Sequence, residues 1–189
     1  TVPADSEHVE LLRRGPRAWN EWRRRNPNTV PNLTQITLSA GERQMGAVHG
    51  GPVNLASARL RRASLRFATL SGADLEEADL TDADLTDARL DGANLANADL
   101  SHALLTRTDF KGARFYRTKL NGANLQDALN LTQEQLNECS GDASTDLPPH
   151  LKSPPSWMIF GPEAETERVN DDANAEPWQG DGTGRYRLR

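Results

Sequence analysis

The chain has 189 residues and a formal net charge of −5 at pH 7, with 36% hydrophobic and 26% charged residues. This content of apolar residues is low for an ordinary globular domain, so we expect a narrow or confined core. The charge indicates neither a nucleic-acid binder with a basic surface nor a uniformly acidic protein.

A single cysteine, Cys139, excludes an internal disulfide and, since no Cys or His lies at a ligand spacing from it, a structural zinc site. We therefore expect a reducing, cytoplasmic compartment and no metal or cofactor. No apolar run approaches the roughly 20 residues that span a bilayer, and the first residues lack the apolar core of a secretory signal. The sequence predicts no transmembrane segment, and peripheral membrane association stays open.

Residues 1–30 are predicted to form a helical cap at the N-terminus. Apolar side chains share one face of a basic helical segment over residues 6–25, which Gly15 and Pro16 divide into two short helices. The alternative is a helix that binds an acidic protein or a lipid surface. For that role the candidate docking residues are Arg13, Arg14, Arg17, Trp19 and Trp22.

A five-residue spacing of apolar residues begins within residues 31–52, at Leu33, Leu38 and Val48, but Arg43 interrupts it. We interpret residues 31–52 as an irregular first coil and loop, with an insertion around residues 41–51. A loop in this place is a natural position for specificity.

From residue 53 to residue 129 the spacing is uninterrupted. A large apolar residue stands at every fifth position from Leu55 to Leu125, and a small residue, nearly always Ala, stands two positions before it. A straight α-helix would spread these leucines around its axis, and a straight strand would alternate them between two faces. The pattern therefore predicts a chain that bends after every unit of five, so that four units close one square coil around a Leu and Ala core.

Units such as Ala73-Asp74-Leu75-Glu76-Glu77 and Ala93-Asn94-Leu95-Ala96-Asn97 resemble the A(D/N)LxX consensus of the pentapeptide-repeat family. This resemblance implies an all-β solenoid, a right-handed quadrilateral β-helix with four units per coil and short helical caps at both ends. The Asp or Asn before each Leu is expected to bond to the backbone at the corners.

Residues 130–147 are predicted to form a C-terminal capping helix and turn, because Thr132 and Gln135 have the spacing of a capping box. Residues 148–189 are interpreted as a Pro-rich linker followed by an extended or disordered tail. The linker leads to an apolar cluster, Trp157, Met158, Ile159 and Phe160, which either packs on this chain or inserts into a groove of a partner. Trp157, Met158 and Phe160 are candidate docking residues.

Carboxylates crowd one coil of the repeat, and basic residues precede and follow it. This acidic belt either solvates the rod or binds a basic partner. Its candidate docking residues are Asp74, Glu76, Glu77, Asp79, Asp82 and Asp87. Calcium is not expected there, because flat ladders of carboxylates do not converge on one point.

We therefore predict a non-catalytic protein interaction module, a scaffold or accessory subunit, with a protein partner and no direct binding of nucleic acid. The resemblance offers an alternative, since some pentapeptide-repeat proteins mimic DNA and modulate DNA gyrase. The near balance of acidic and basic residues in the repeat disfavours that alternative. An enzyme is the least favoured class, because His8, His49, His102 and His150 are scattered and no catalytic motif is present.

Overall fold

The corners of the repeat determine the path of the chain. The structure is a computed structural model that describes residues 2–46 and 50–157. In each unit from residue 55 onward the second residue after the core Leu or Phe has a positive φ, between 55° and 71°. The amide of the next residue donates a hydrogen bond to the carbonyl of the core residue, as from Ala58 N to Leu55 O at 3.0 Å. Each unit thus ends in a tight turn with a left-handed third position.

Successive coils stack in parallel, so that each unit lies above the unit four places earlier in the chain. Single-residue bridges join Asn54 to Asp74, Asp74 to Asn94 and Asn94 to Arg114, and the other three sides repeat this pattern. The bridges are isolated, so the described residues contain no regular strand. Four coils cover residues 53–131, which agrees with the predicted four-sided solenoid, while its right-handedness stays a prediction.

The core is a column of leucines and alanines inside the coils. Leu75, Leu95 and Ala73 are fully buried, as is nearly every residue at the equivalent positions. Each buried Leu contributes about 1.5–3 kcal/mol through the hydrophobic effect. Where Thr108 and Thr118 replace Ala, their hydroxyls donate to Leu85 O and Leu95 O at 2.8 and 2.7 Å, so the buried polar groups are satisfied.

The predicted backbone bonds of the residues before the core Leu are confirmed. In eight units the side-chain oxygen of this residue accepts from the amide two positions later, at 2.9–3.1 Å. The residues are Asn54, Asp74, Asp79, Asp84, Asn94, Asp99, Asp109 and Asn124. Because such bonds fix the turn, these residues have a structural role whatever else they do.

Two N-terminal helices cover the first coil. Helix α1 spans Ser6–Arg13 and helix α2 spans Pro16–Arg25, with Pro16 in the first turn. Residues 31–46 form three sides of an incomplete coil, through bridges from Asn32, Thr37 and Gln44, and a 3₁₀ turn lies at Ala40–Glu42. Helix α2 takes the place of the fourth side.

Side chains of α2 supply the hydrogen bonds that a preceding coil would supply. Trp19 Nε1 donates to Asn54 O at 2.6 Å, and Arg23 donates to Ala56 O at 2.9 Å. Asn20 Oδ1 accepts from Asn54 N at 2.8 Å. One coil higher, backbone groups of the first coil make the equivalent hydrogen bonds. Leu55 N and Ser57 N donate to Asp74 O and Glu76 O, and Val53 O accepts from Asp74 N. The helix therefore satisfies a strand edge that would otherwise be open.

The C-terminal end is closed in a similar way. Helix α3, Gln133–Asn137, begins with the predicted capping box of Thr132 and Gln135, and Gln135 also donates to Phe110 O and Ala113 O. A 3₁₀ turn at Pro155–Trp157 follows. Trp157 is buried and its Nε1 donates to Cys139 O at 2.9 Å.

Some of the predicted features lie outside the described residues. These are Val48 of the irregular first coil and the predicted tail beyond residue 157. No helix in the described ranges is both long and apolar enough for a membrane span.

Replacement of Trp19 by Phe tests the role of α2 as a substitute coil. The ring volume is largely kept, but Asn54 O loses its donor, so we expect a loss of about 1–3 kcal/mol in the free energy of unfolding. Trp22→Phe is the control, because the described residues give the Trp22 ring no hydrogen bond and its side chain is half-buried. Equal losses in urea unfolding of the two variants would contradict this role.

A second substitution tests the left-handed corners. A Cβ at Gly112 would meet nothing within 4 Å, yet its φ is +66°. Gly112→Ala should therefore destabilise the protein by about 1 kcal/mol through the backbone alone. Gly41→Ala is the control, since its surroundings are equally open and its φ is not left-handed. If thermal unfolding showed equal destabilisation of the two variants, the left-handed conformation of Gly112 would not be the cause of the loss.

Candidate functional site

The outward residues form four faces, each built from equivalent units of successive coils. Face 1 comprises the units that begin at residues 53, 73, 93 and 113. Face 2 comprises the units that begin at residues 58, 78, 98 and 118. Face 3 begins five residues after each of these, and face 4 begins ten residues after each of them. The bridges Asp79 to Asp99 and Asp99 to Lys119 show that equivalent residues of successive coils lie directly above one another. The backbones of neighbouring coils lie about 4.8 Å apart, so side chains at equivalent positions are close enough to interact.

The acidic residues of coil 2, residues 73–92, are distributed over all four faces, and on faces 2, 3 and 4 some of them form ion pairs. Asp82 lies 3.8 Å from Arg61 on face 2, and Asp91 lies 3.5 Å from Arg89 on face 4. On face 3, Arg107 binds Asp87 through two hydrogen bonds of 2.7 and 2.9 Å. The hydrogen bonds from Arg107 lower the pKa of Asp87. The belt is thus not one continuous acidic surface.

Face 1 is the exception. Asp74, Glu76 and Glu77 lie side by side in one unit, and within the described ranges none of them forms an ion pair. Glu76 and Glu77 are exposed, whereas Asp74 is half-buried and accepts from Glu76 N. We call these three residues the acidic stripe.

Two coils further along the same face lies a basic stripe, Arg114, Tyr116 and Arg117. All three side chains are exposed, Tyr116 to 56%, and neither arginine has an acidic partner in the part of the chain that the structure describes. Between the stripes lie Asn94, Ala96 and Asn97, the neutral stripe. The sequence prediction missed the basic stripe, although an alignment of units 73–77 and 113–117 in rows of four units would have placed it above the acidic one.

The predicted N-terminal docking residues have mostly internal contacts. Trp19 is fully buried, and Trp22 packs against the rings of Trp19 and His8 at 5.1 and 4.9 Å. Arg13 pairs with Glu42 at 3.3 Å. These contacts agree with the cap and leave Trp19 no surface for a partner.

Two further arginines of this segment differ in their contacts. Arg14 pairs with Glu10 within α1 at 3.6 Å, and Arg17 is exposed at the start of α2. The C-terminal cluster was left with two alternatives, and Trp157 packs on its own chain, next to Gly141. Met158 and Phe160 lie outside the described residues.

A second exposed feature, also missed, is centred on Phe67 of face 3. Its side chain is 49% exposed although it stands in a left-handed corner, where a bulky aromatic residue is uncommon. The guanidinium groups of Arg43 and Arg66 lie 5.2 and 5.6 Å from the ring centroid. Leu104 is also exposed on this face. An aromatic residue at an outward corner position was the signal in the sequence.

The described histidines and the cysteine are distributed over separate parts of the structure. His8 Nδ1 accepts from Asn32 N at 3.0 Å, and His102 lies at an exposed corner, while His49 is outside the described residues. No group of three or more His, Cys, Asp or Glu that could hold a metal ion occurs at positions 2–46 and 50–157. Burial raises the pKa of the Cys139 thiol to about 12.

Alkylation tests the state of Cys139. A thiol with a pKa of about 12 carries almost no thiolate at pH 8. Iodoacetamide should therefore leave the folded protein unmodified at this pH and modify it fully in denaturant, as measured by intact mass. Rapid modification of the folded protein would contradict the buried position.

Comparisons with known proteins find the family model for pentapeptide repeats in eight copies, within residues 58–95 and 88–127. A pentapeptide repeat protein from Nostoc Pcc 7120 has 33% identity, over 52% of this chain and 77% of that one, with a TM-score of 0.35. HetL from Nostoc sp. strain PCC 7120, described as involved in heterocyst differentiation regulation, has 26% identity over 68% of this chain.

The match covers 55% of HetL, so this chain spans about half of its length, and the TM-score is 0.39. A pentapeptide repeat protein of the Arabidopsis thaliana thylakoid lumen has 27% identity, over 55% of this chain and 70% of that one, with a TM-score of 0.27. No curated protein matches the chain.

Proposed function

Because this chain belongs to the pentapeptide-repeat family, we propose that it is a non-catalytic protein-docking module, a scaffold or accessory subunit of a larger complex. Members of the family are generally structural or interaction modules rather than enzymes. The docking surface is face 1, and the partner is a protein with complementary charges. A cytoplasmic setting, as expected for a chain with one cysteine, is part of this proposal.

One observation carries the choice of face 1. Faces 2, 3 and 4 each hold an ion pair that involves coil 2, residues 73–92, whereas the described residues provide none for the charges of face 1. Three carboxylates within one unit repel each other, and a countercharge supplied by a partner would reduce that repulsion. Arg23 of α2 interacts with Asp74 from within the chain: burial lowers the pKa of Arg23, and the negative charge of Asp74 opposes this effect.

The complementarity also defines the partner. A basic segment fits the acidic stripe, and an acidic segment fits the basic stripe, where Tyr116 adds a large amphipathic side chain of the kind enriched in protein interfaces. Face 1 ends at α2 on one side and at α3 on the other, since Arg117 N donates to Glu138 O just beyond α3. A partner of this face is therefore placed between two fixed helices.

The charge pattern disfavours mimicry of DNA. A duplex mimic needs acidic charge along the whole rod, but each face includes basic residues within the four coils. They are Arg114 and Arg117 on face 1, Arg59 and Lys119 on face 2, Arg66 and Arg107 on face 3, and Arg89 and Lys111 on face 4.

The test is affinity capture of the tagged full-length protein from its native cells, combined with cross-linking mass spectrometry. The variant Asp74→Arg/Glu77→Arg inverts the charge of the acidic stripe. Arginine already occupies both unit positions elsewhere in the repeat, at Arg59 and Arg62, so the fold should tolerate the change. We expect this variant to lose at least roughly nine tenths of the bound partner, as for like charges placed opposite each other.

The matched control is Asp79→Arg/Asp82→Arg, which places arginine at the same two unit positions of face 2. It should retain the partner. Equal capture by both variants, or cross-links confined to faces 2, 3 and 4, would refute the docking role of face 1.

A further inference from the structure

The three stripes of face 1 lie in register. The bridges from Asp74 to Asn94 and from Asn94 to Arg114 define one column of residues along the rod. Residues 76, 96 and 116 form a second column and residues 77, 97 and 117 a third, because every coil contains four units. The acidic and basic stripes therefore stand at equal distances on either side of the neutral stripe, about 10 Å from each other.

At that separation the stripes do not pair within one chain. An ion pair needs its charged atoms within about 4 Å. The neutral stripe keeps the charges apart, and its side chains are short, with Ala96 only 5% exposed. Face 1 is thus flat at its centre and carries opposite charges at its two edges.

This arrangement is complementary to itself. A two-fold axis along the neutral stripe, in the plane of contact, reverses the direction of the rod but keeps every residue in its own column. Asp74 then faces Arg114 of the second copy, Glu76 faces Tyr116, and Glu77 faces Arg117. The same contacts occur a second time with the copies exchanged, and each residue of the neutral stripe faces its own equivalent.

We propose that face 1 binds a second copy of this chain, with the two rods antiparallel. This inference rests on the proposed docking role of face 1 and names the partner. The charges favour a second copy as the partner, because Asp74 and Glu77 each face an arginine in the same column of that copy, while Glu76 faces Tyr116.

The size of the surface determines the strength of the contact. The stripes cover about 10 Å by 10 Å, which is far less than the roughly 800 Å² that each partner contributes to a standard interface. The dimer is therefore weak and concentration-dependent. Since its contacts are exposed ion pairs, salt weakens it by screening.

A charge exchange between two variants tests the pairing. Variant 1 is Asp74→Arg/Glu77→Arg, and variant 2 is Arg114→Asp/Arg117→Glu. Each introduced residue type already stands at the same unit position elsewhere in the repeat, and circular dichroism checks that both variants are folded. Sedimentation velocity of the full-length chain, at low and at high salt, measures dimerisation.

Wild type should dimerise at low salt and dissociate at high salt. Each variant alone should dimerise roughly tenfold or more weakly, because like charges then face each other. The mixture of the two variants should restore the dimer as a heterodimer, which fluorescent labelling of one variant detects. The control Asp79→Arg/Asp82→Arg should dimerise like wild type.

A wild type that stays monomeric at low salt, or a mixture that does not restore the dimer, overturns the inference. If capture from cells still depends on the acidic stripe in that case, the proposed docking function stands with a different partner. If capture is also independent of the stripe, the docking function fails as well.

Discussion

The left-handed corner at the end of every unit is the constraint on which the rest of the structure depends. It bends the chain once per unit, so four units close a coil and equivalent residues of successive coils come into register. That register places the core leucines of the repeat inside and its charged residues in columns on four faces. The corners tolerate Arg, Glu, Asp and even Phe67, although a left-handed residue other than Gly costs about 1–2 kcal/mol. The gain from the buried Leu and Ala columns and from the hydrogen bonds between coils offsets this cost in each unit.

A stack of coils has two open ends, and the chain closes each of them with a helix. On the first coil Trp19, Asn20 and Arg23 present indole, amide and guanidinium groups where backbone groups would otherwise lie. At the other end Gln135 donates to Phe110 O and Ala113 O, and Trp157 donates to Cys139 O. Aromatic and basic residues of these segments are thus part of the cap. The same residues look like docking groups when only the sequence is considered, because both roles call for large side chains with a polar end.

The repeat could be predicted in detail because its period allows only one geometry. The core columns, the corner bonds of residues such as Asp79, the division of the N-terminal helices at Gly15 and Pro16, and the capping box at Thr132 followed from local spacing. Which carboxylates of the acidic belt form ion pairs could not be predicted, because pairing depends on which residues lie one coil away. Asp87 binds Arg107 of the next coil, while Glu77 has only Asn97 above it. Face 1 differs from the other faces in the columns that its charges form across successive coils, which no single unit of the sequence shows.

The proposed pairing of face 1 with a second copy is tested most directly by a disulfide in the neutral stripe. Asn97 lies on the proposed two-fold axis, so Asn97→Cys brings two thiols close enough to bond under mild oxidation. Ser57→Cys is in the same column of face 1 but off the axis, and Cys139 is buried in both variants. We expect a disulfide dimer for Asn97→Cys and none for Ser57→Cys on a non-reducing gel. Equal cross-linking of the two variants, or none in either at low salt, would contradict the pairing.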